Sequence, residues 1–339
     1  MIPIQNIYYM LSYAFQVLNE QGYKNIATEQ FNNTGELMAA ILEKGIAIQL
    51  KRGLGKEYIL QTEALSSLRG KIDIAESIKT QSMLRKQLIC TYDEFSVNSI
   101  MNRIIKSTVE LLLRSNISKQ RKKNLRKLMV YFSEVDFIDL YTVNWNVQYN
   151  RNNQTYRMLI SICYLVVKGL LQTQSNGHTE LMDFLDEQRM CRLYEKFILE
   201  YYRKEFKNQF TANASQIPWQ LDNEENSMLP VMQSDIMLQS GEKVLIIDAK
   251  YYEHSTQVQF DKHTLHSGNL YQIFTYVKNK EYELREKNHT VSGMLLYAKT
   301  DEEIYPNNVY QMSGNQITVR TLDLNLPFDE IAGQLNTIA

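Results

Sequence analysis

Three side chains have the types and spacing for phosphodiester chemistry: Asp235, Asp248 and Lys250. The stretch Lys243-Val-Leu-Ile-Ile-Asp-Ala-Lys250 is an apolar run, the signature of a strand covered on both faces, and it ends in Asp248 and Lys250. Residues i and i+2 of a strand share a face, so this carboxylate and this ammonium project side by side. Upstream, Ser234 to Leu238 alternates into a Gln-Ser-Gly-Glu turn, which predicts a hairpin with Asp235 on the strand paired to that of Asp248. Hydrolysis of a phosphodiester asks for a hard divalent cation on oxygen ligands and for a positive charge near the attacking water or the developing charge. Two aspartates and a lysine supply those parts. Alone, Asp-x-Lys is a short pattern that also fits an ordinary ion pair on a hairpin rim.

A second pair strengthens the reading. In Asn269-Leu-Tyr-Gln-Ile-Phe-Thr-Tyr276, Gln272 and Tyr276 stand four apart and so share a helix face, directly after the Asp-Lys strand in the chain. Glu195, in Leu193-Tyr-Glu-Lys-Phe197, is a further carboxylate for a metal, although an exposed helix glutamate fits the same spacing. Lys243 and Lys262 are candidates for backbone phosphates or a solvated surface. His254, His263 and His266 form no zinc spacing and read as surface or structural residues. Trp145 and Trp219 read as core aromatics.

The elements that must position these residues fall into two regions. Length predicts about two domains of roughly 100 to 200 residues. Ile7, Met10, Leu11, Ala14 and Leu18 mark a first helix; Glu36 to about Lys44 marks a second; Ile46–Leu50 and Tyr58–Gln61, flanking Arg52-Gly-Leu-Gly55, read as a hairpin. Asn98–Leu113, Gln120–Phe132 and Tyr156–Leu171 read as helices, the second basic along Arg121, Lys122, Lys123, Arg126 and Lys127. That face suits solvent, DNA phosphates or an acidic partner. The polar stretch Gln172 to His178 marks the boundary, giving residues 1–175 and 176–339. Beyond it come a helix over Gln188–Asn208, strands over Ser234–Leu238, Lys243–Lys250 and Ser292–Ala298, and a helix over Asn269–Lys280. The fold class is therefore α/β: a C-terminal mixed sheet flanked by helices, preceded by an N-terminal mixed α+β domain.

Composition narrows the classes further. With 37 Lys+Arg against 38 Asp+Glu there is no global basic coat, so any nucleic-acid contact must be local. Cys90, Cys163 and Cys191 form no CxxC pair, which speaks against a disulfide framework or a cysteine zinc site and suits a reducing cytoplasm. The start, Met1-Ile-Pro-Ile-Gln-Asn, lacks the marks of a secretory signal, and the most apolar later stretch, Met158–Leu171, is too short and too polar to span a bilayer. The expectation is a soluble cytoplasmic protein. No GxxxxGK[ST] loop is present; Gly53-Leu-Gly-Lys56 runs into Glu57.

Asp235, Asp248-Ala249-Lys250 and Gln272-x3-Tyr276 together resemble the PD-(D/E)xK nuclease superfamily, the last element being like the trailing motif of its RecB-type branch. Ser234 stands where the signature has proline. Longer blocks, IPIQNIYYMLSYAF at 2–15, Asn102-Arg-Ile-Ile-Lys-Ser-Thr108, Leu229–Asp235, Leu245–Tyr252 and Asn269–Gln272, are similar to the McrC family of nuclease subunits from McrBC methylation-dependent restriction systems. The resemblance implies a restriction-endonuclease-like C-terminal domain that uses Mg2+. Asp235, Asp248, the backbone carbonyl of Ala249 and in some relatives Glu195 would hold the metal, with Lys250, Gln272 and Tyr276 catalytic. It also implies a partner, an McrB-like AAA+ GTPase ring that binds GTP and reads 5-methylcytosine in double-stranded DNA, which the N-terminal domain enters and stimulates. The alternative is a catalytically inactive activator or adaptor of such a ring.

Overall fold

By internal packing the chain divides into two units, residues 31–184 and a second made of 1–30 with 185–339. The structure is a computed structural model. It describes residues 2–338 apart from 16–17, 19–22, 24–25, 27–28, 30, 32, 151–152, 154, 176–186, 223–227, 253–256, 260–261 and 300–304. In chain order the elements are α1 (Ile4–Ala14), α2 (Thr34–Arg52), β1 (Glu57–Leu65), β2 (Lys71–Asp73), α3 (Ile74–Lys79), β3 (Leu88–Ser96), α4 (Ile100–Arg114), α5 (Lys119–Met129), α6 (Tyr156–Ser175), α7 (Glu187–Glu205), β4 (Thr211–Asn213), β5 (Gln216–Ile217), β6 (Met232–Gln233), β7 (Ile236–Ser240), β8 (Lys243–Lys250), β9 (Gln257–Gln259), β10 (Lys262–Thr264), α8 (Ser267–Glu283), β11 (Thr290–Ala298), β12 (Asn308–Met312), β13 (Asn315–Leu322) and α9 (Phe328–Asn336). Among the described residues no helix is long and apolar enough to cross a membrane.

The 31–184 unit is mixed α and β. Helix α2 starts where the Asn33 side chain accepts the Glu36 N–H at 2.8 Å, satisfying an orphan donor of the first turn, and stops at Gly53, whose φ of +90° suits glycine. The hairpin expected from 46 to 61 is absent. Ile46 and Gln49 continue the buried stripe of Leu42, so the segment prolongs α2, and β1 pairs instead with β3 in a three-stranded antiparallel sheet ordered β1-β3-β2. Buried Asn102 ties sheet to helices: its amide donates to Gly55 O at 2.9 Å and Val97 O at 2.8 Å, and its oxygen accepts the Tyr156 hydroxyl at 2.8 Å.

The second unit is built on a six-stranded mixed sheet ordered β12-β13-β11-β8-β7-β4. Strand β8 lies near its middle, parallel to β11 and antiparallel to β7, which accounts for its continuous apolar run. Helix α8 covers the face carrying Val244 and Ile246, where Ile273 and Val277 meet Val291, Leu295, Ile317 and Val319. Gly293 lets the helix come that close: a Cβ there would lie 2.8 Å from Ile273 Cγ1 and from Val277 Cγ2. Helix α7 also packs on β8.

The division differs from the expected 1–175 and 176–339 in where the first helix belongs. Asn6 of α1 donates to the carbonyls of Leu324 and Leu326, both at 2.8 Å; Tyr9 stacks on Phe328 at 4.4 Å; the Tyr13 hydroxyl reaches Glu205 at 2.8 Å. These partners belong to the second unit, and α1 goes with them. The boundary expected at Gln172–His178 falls partly outside the described residues.

Candidate active site

The site grows from one hairpin. Strands β7 and β8 are joined by the two-residue turn Gly241-Glu242, with Gly241 at φ +56° as such a turn demands, and the pairing runs from Ser240↔Lys243 to Ile236↔Ile247. One step further the ladder stops and Asp235 stands opposite Asp248. There the Asp235 side chain takes over: its Oδ2 accepts the N–H of Ala249 at 2.9 Å. Ala249, expected to offer its carbonyl to a metal, is thus seen through its N–H. Ser234 beside it is buried, its N–H donating to Ser215 O at 3.0 Å and its hydroxyl to the same oxygen at 3.2 Å. A proline at this position would forfeit the first of these bonds.

Asp248 is 1% exposed. Its Oδ2 pairs with the Lys250 ammonium at 2.8 Å; apart from that ion pair neither carboxylate oxygen receives a hydrogen bond from the described residues, although both are shut off from solvent. A buried carboxylate this poorly satisfied is costly unless a cation completes it. Burial, with the Asp248 and Glu195 carboxylates nearby, pushes Asp235 up to about 8. A carboxyl that holds its proton this tightly because of the negative charges around it sits in a pocket of negative potential, which fits a divalent cation.

Lys250 is held from two sides. Its Nζ donates to Gln272 Oε1 at 3.3 Å, and Gln272 Nε2 donates to Tyr276 Oη at 2.9 Å. Helix α8 therefore brings the two residues four apart onto the strand pair, as their spacing predicts. Burial would lower the Lys250 pKa, but Asp248 and Asp235 hold it above the usual lysine range, so at neutral pH Lys250 is a cation and not a base.

Glu195, on α7, lies close enough to interact electrostatically with Asp248 and Lys250, and burial raises its pKa. Its Oε1 accepts the Cys191 thiol at 3.1 Å, and burial together with this contact pushes Cys191 up to about 12, so the thiol remains a donor. Among the described residues no three His, Cys, Asp or Glu side chains converge tightly enough to hold a metal by themselves. The site is a pair of aspartates with Glu195 as a neighbour.

Sequence reading missed a second polar chain on the same face. Asn269 Nδ2 donates to Tyr297 Oη at 2.9 Å, and Asn269 Oδ1 accepts the Tyr252 hydroxyl at 3.3 Å. Tyr297 is the register partner of Lys250 across β11 and β8. Only the strand pairing reveals this neighbourhood, because Tyr252, Asn269 and Tyr297 have no common period in the chain.

Other candidates stand apart. Lys243 sits at the opposite end of β8, roughly 17 Å away at strand rise, and lines a cavity of about 590 Å³ with His289 and Arg320. His254 lies outside the described residues, as do the side chains of Lys262 and His263. His266 precedes α8 and packs its ring 5.3 Å from that of Tyr252. Trp219 packs against the core under α8, and Trp145 meets Tyr164 edge-on at 5.2 Å. All three cysteines are free thiols.

The chain is 29% identical over 330 residues to the type IV methyl-directed restriction enzyme EcoKMcrBC of Escherichia coli K12, covering 95% of this chain and 93% of that protein. Among solved structures it is similar to a refined half-complex from a tetradecameric assembly of Thermococcus gammatolerans McrB AAA+ hexamers with bound McrC, at 18% identity and a TM-score of 0.50, covering 99% of this chain and 76% of that one. A cryo-EM structure of the Thermococcus gammatolerans McrBC complex matches at 22% identity over 60% of this chain and 59% of that one, with a TM-score of 0.43. Residues 5–298 match the family described as McrBC 5-methylcytosine restriction system component, and the chain belongs to that family.

Proposed function

We propose that this chain is the DNA-cleaving subunit of a 5-methylcytosine-directed restriction complex, a Mg2+-dependent endonuclease with a PD-(D/E)xK centre in its second unit. The observation that carries this reading is the buried Asp248 carboxylate, which among the described residues is paired with Lys250 alone and faces Asp235. Asp235 and Asp248 would hold the metal, with the Ala249 carbonyl as a further oxygen. When bound, Mg2+ polarises the phosphate and lowers the pKa of a water.

The residues of the chain do the rest. The Ala249 N–H fixes the Asp235 carboxylate against the end of β8. Gln272, oriented by Tyr276, aims its amide oxygen at Lys250 and so sets the ammonium beside Asp248, where a fixed positive charge stabilises the charge that develops on the phosphate. Because Lys250 is cationic, it serves as an electrostatic partner of the reaction and not as the group that deprotonates the water.

The partner follows from the family. The solved relative is bound to McrB AAA+ hexamers, and we infer that this chain works with a similar ring that binds GTP and selects methylated DNA, while residues 31–184 stimulate its hydrolysis. The test is to mix the chain with its GTPase partner, GTP, Mg2+ and plasmid, methylated or not. Cleavage of methylated plasmid alone is expected. Stimulated GTP hydrolysis without cleavage would favour an adaptor with an inert nuclease fold.

A further inference from the structure

Helix α5 carries a row of cations to which the described residues offer no counter-charge. Its eleven residues, KQRKKNLRKLM, include no acid. Arg121 points inward, bonding Glu43 at 2.9 Å and lying 3.6 Å from Glu36, both on α2, so it anchors the helix and is no part of its outer face. At 100° per residue, Lys119, Lys122, Lys123, Arg126 and Lys127 fall on the opposite arc, ~140° wide and ~12 Å long. Lys119, Lys123, Arg126 and Lys127 are exposed, Lys122 is half-buried, and among the described residues none of the five makes an ion pair. The turn that continues the helix, Val130–Phe132, exposes Val130 and Tyr131.

Three features narrow the partner. Lysines in the first turn oppose the helix dipole, an arrangement that an external anion relieves. The face has no apolar centre, only Val130 and Tyr131 at one end, whereas protein interfaces are depleted of lysine at an apolar core. A duplex carries about one phosphate charge per 1.7 Å of axis, so an arc of this length faces several at once.

We propose that the outer face of α5 is a second DNA-binding surface, which holds the phosphate backbone of double-stranded DNA without reading sequence. The proposal takes DNA as the substrate from the function proposed above, but it does not depend on the cutting chemistry.

The test uses the full-length chain and a fluorescent duplex without divalent cation, so no cleavage occurs and the outcome is independent of Asp235 and Asp248. Anisotropy is followed across a range of salt for wild type, for Lys119→Gln/Lys123→Gln/Arg126→Gln/Lys127→Gln, and for Lys119→Arg/Lys123→Arg/Lys127→Arg, which keeps the charge. The slope of log affinity against log salt should become shallower by about 0.9 for each phosphate no longer neutralised, roughly 2 to 4 in the glutamine variant, equally for methylated and unmethylated duplex, and stay unchanged in the arginine variant. An unchanged slope in the glutamine variant overturns the proposal. If GTP hydrolysis by the partner ring falls while the slope holds, the face binds an acidic protein instead; if neither moves, it is a solvated surface.

Discussion

Asp248 is the most deeply buried carboxylate of the site, paired with Lys250, and its removal should separate cutting from everything else. Asp248→Ala should lower DNA cleavage by more than about 100-fold, since even residues that only orient a metal ligand cost 10–100-fold, while GTP hydrolysis by the partner ring keeps its stimulation. Cleavage at the wild-type rate would remove Asp248 from the metal site. Asp235 gives a pH signature. Its folded pKa of about 8 lies above its unfolded value near 4, so between these values the folded state binds more protons than the unfolded. Stability of the metal-free protein should therefore fall as pH rises from about 4 to about 8. Asp235→Asn, which cannot titrate, should show a flatter Tm profile in EDTA, and added Mn2+ should raise the wild-type Tm most at the alkaline end. Identical profiles for the two proteins would contradict the assignment. At this scale the sequence was readable where spacing is local: Asp248 and Lys250 on one strand, Gln272 and Tyr276 on one helix. The Asn269 link to Tyr252 and Tyr297 was not, because it depends on which strands become neighbours.

Among the elements, α8 decides whether the site is assembled, since it delivers Gln272 to Lys250 from a seat on β11. Gly293→Ala adds a methyl 2.8 Å from Ile273 Cγ1 and 2.9 Å from Ile317 Cδ1. Overpacking of this kind costs about 1–3 kcal/mol, read as a Tm lower by a few degrees, and it pushes the helix away from Lys250. Gly268→Ala, where a Cβ meets nothing within 4 Å, is the matched control and should leave Tm and cleavage near wild type. A Gly293→Ala protein as stable and active as the control would show that α8 is free to shift. Strand β8 was legible to the residue because a strand covered on both faces has an unbroken apolar run. The segment Ile46–Leu50 misled because a short apolar run also fits a buried helix turn; burial at Leu42, Ile46 and Gln49 follows the helical period.

For the whole molecule, the two units set what can be cut apart. Residues 31–184 have their own core and should fold alone and stimulate the partner GTPase without cutting DNA. A 1–175 fragment would leave Tyr9 and Tyr13 of α1 without Phe328 and Glu205, and should be less soluble than 31–184. The tests are circular dichroism and GTP turnover at saturating fragment. A folded but inert 31–184 would mean that activation also needs the second unit. Sequence placed α1 with its chain neighbours because nothing local in its stripe of Ile7, Met10, Leu11 and Ala14 distinguishes one apolar partner from another.

The docking of α1 onto residues near the other end of the chain also orders events during synthesis. Asn6 and the Leu324 carbonyl it binds are separated by 318 residues. At roughly 5–20 residues per second the ribosome needs on the order of 15 to 60 s to make that partner after α1 has emerged. The 31–184 unit completes itself in the interval, while the unit holding Asp235 and Asp248 cannot close until its last strands and α9 are made. A chain stalled before Leu324 would thus carry a finished 31–184 unit and an unfinished second unit, and the first helix would wait as a nascent apolar surface for chaperones to cover.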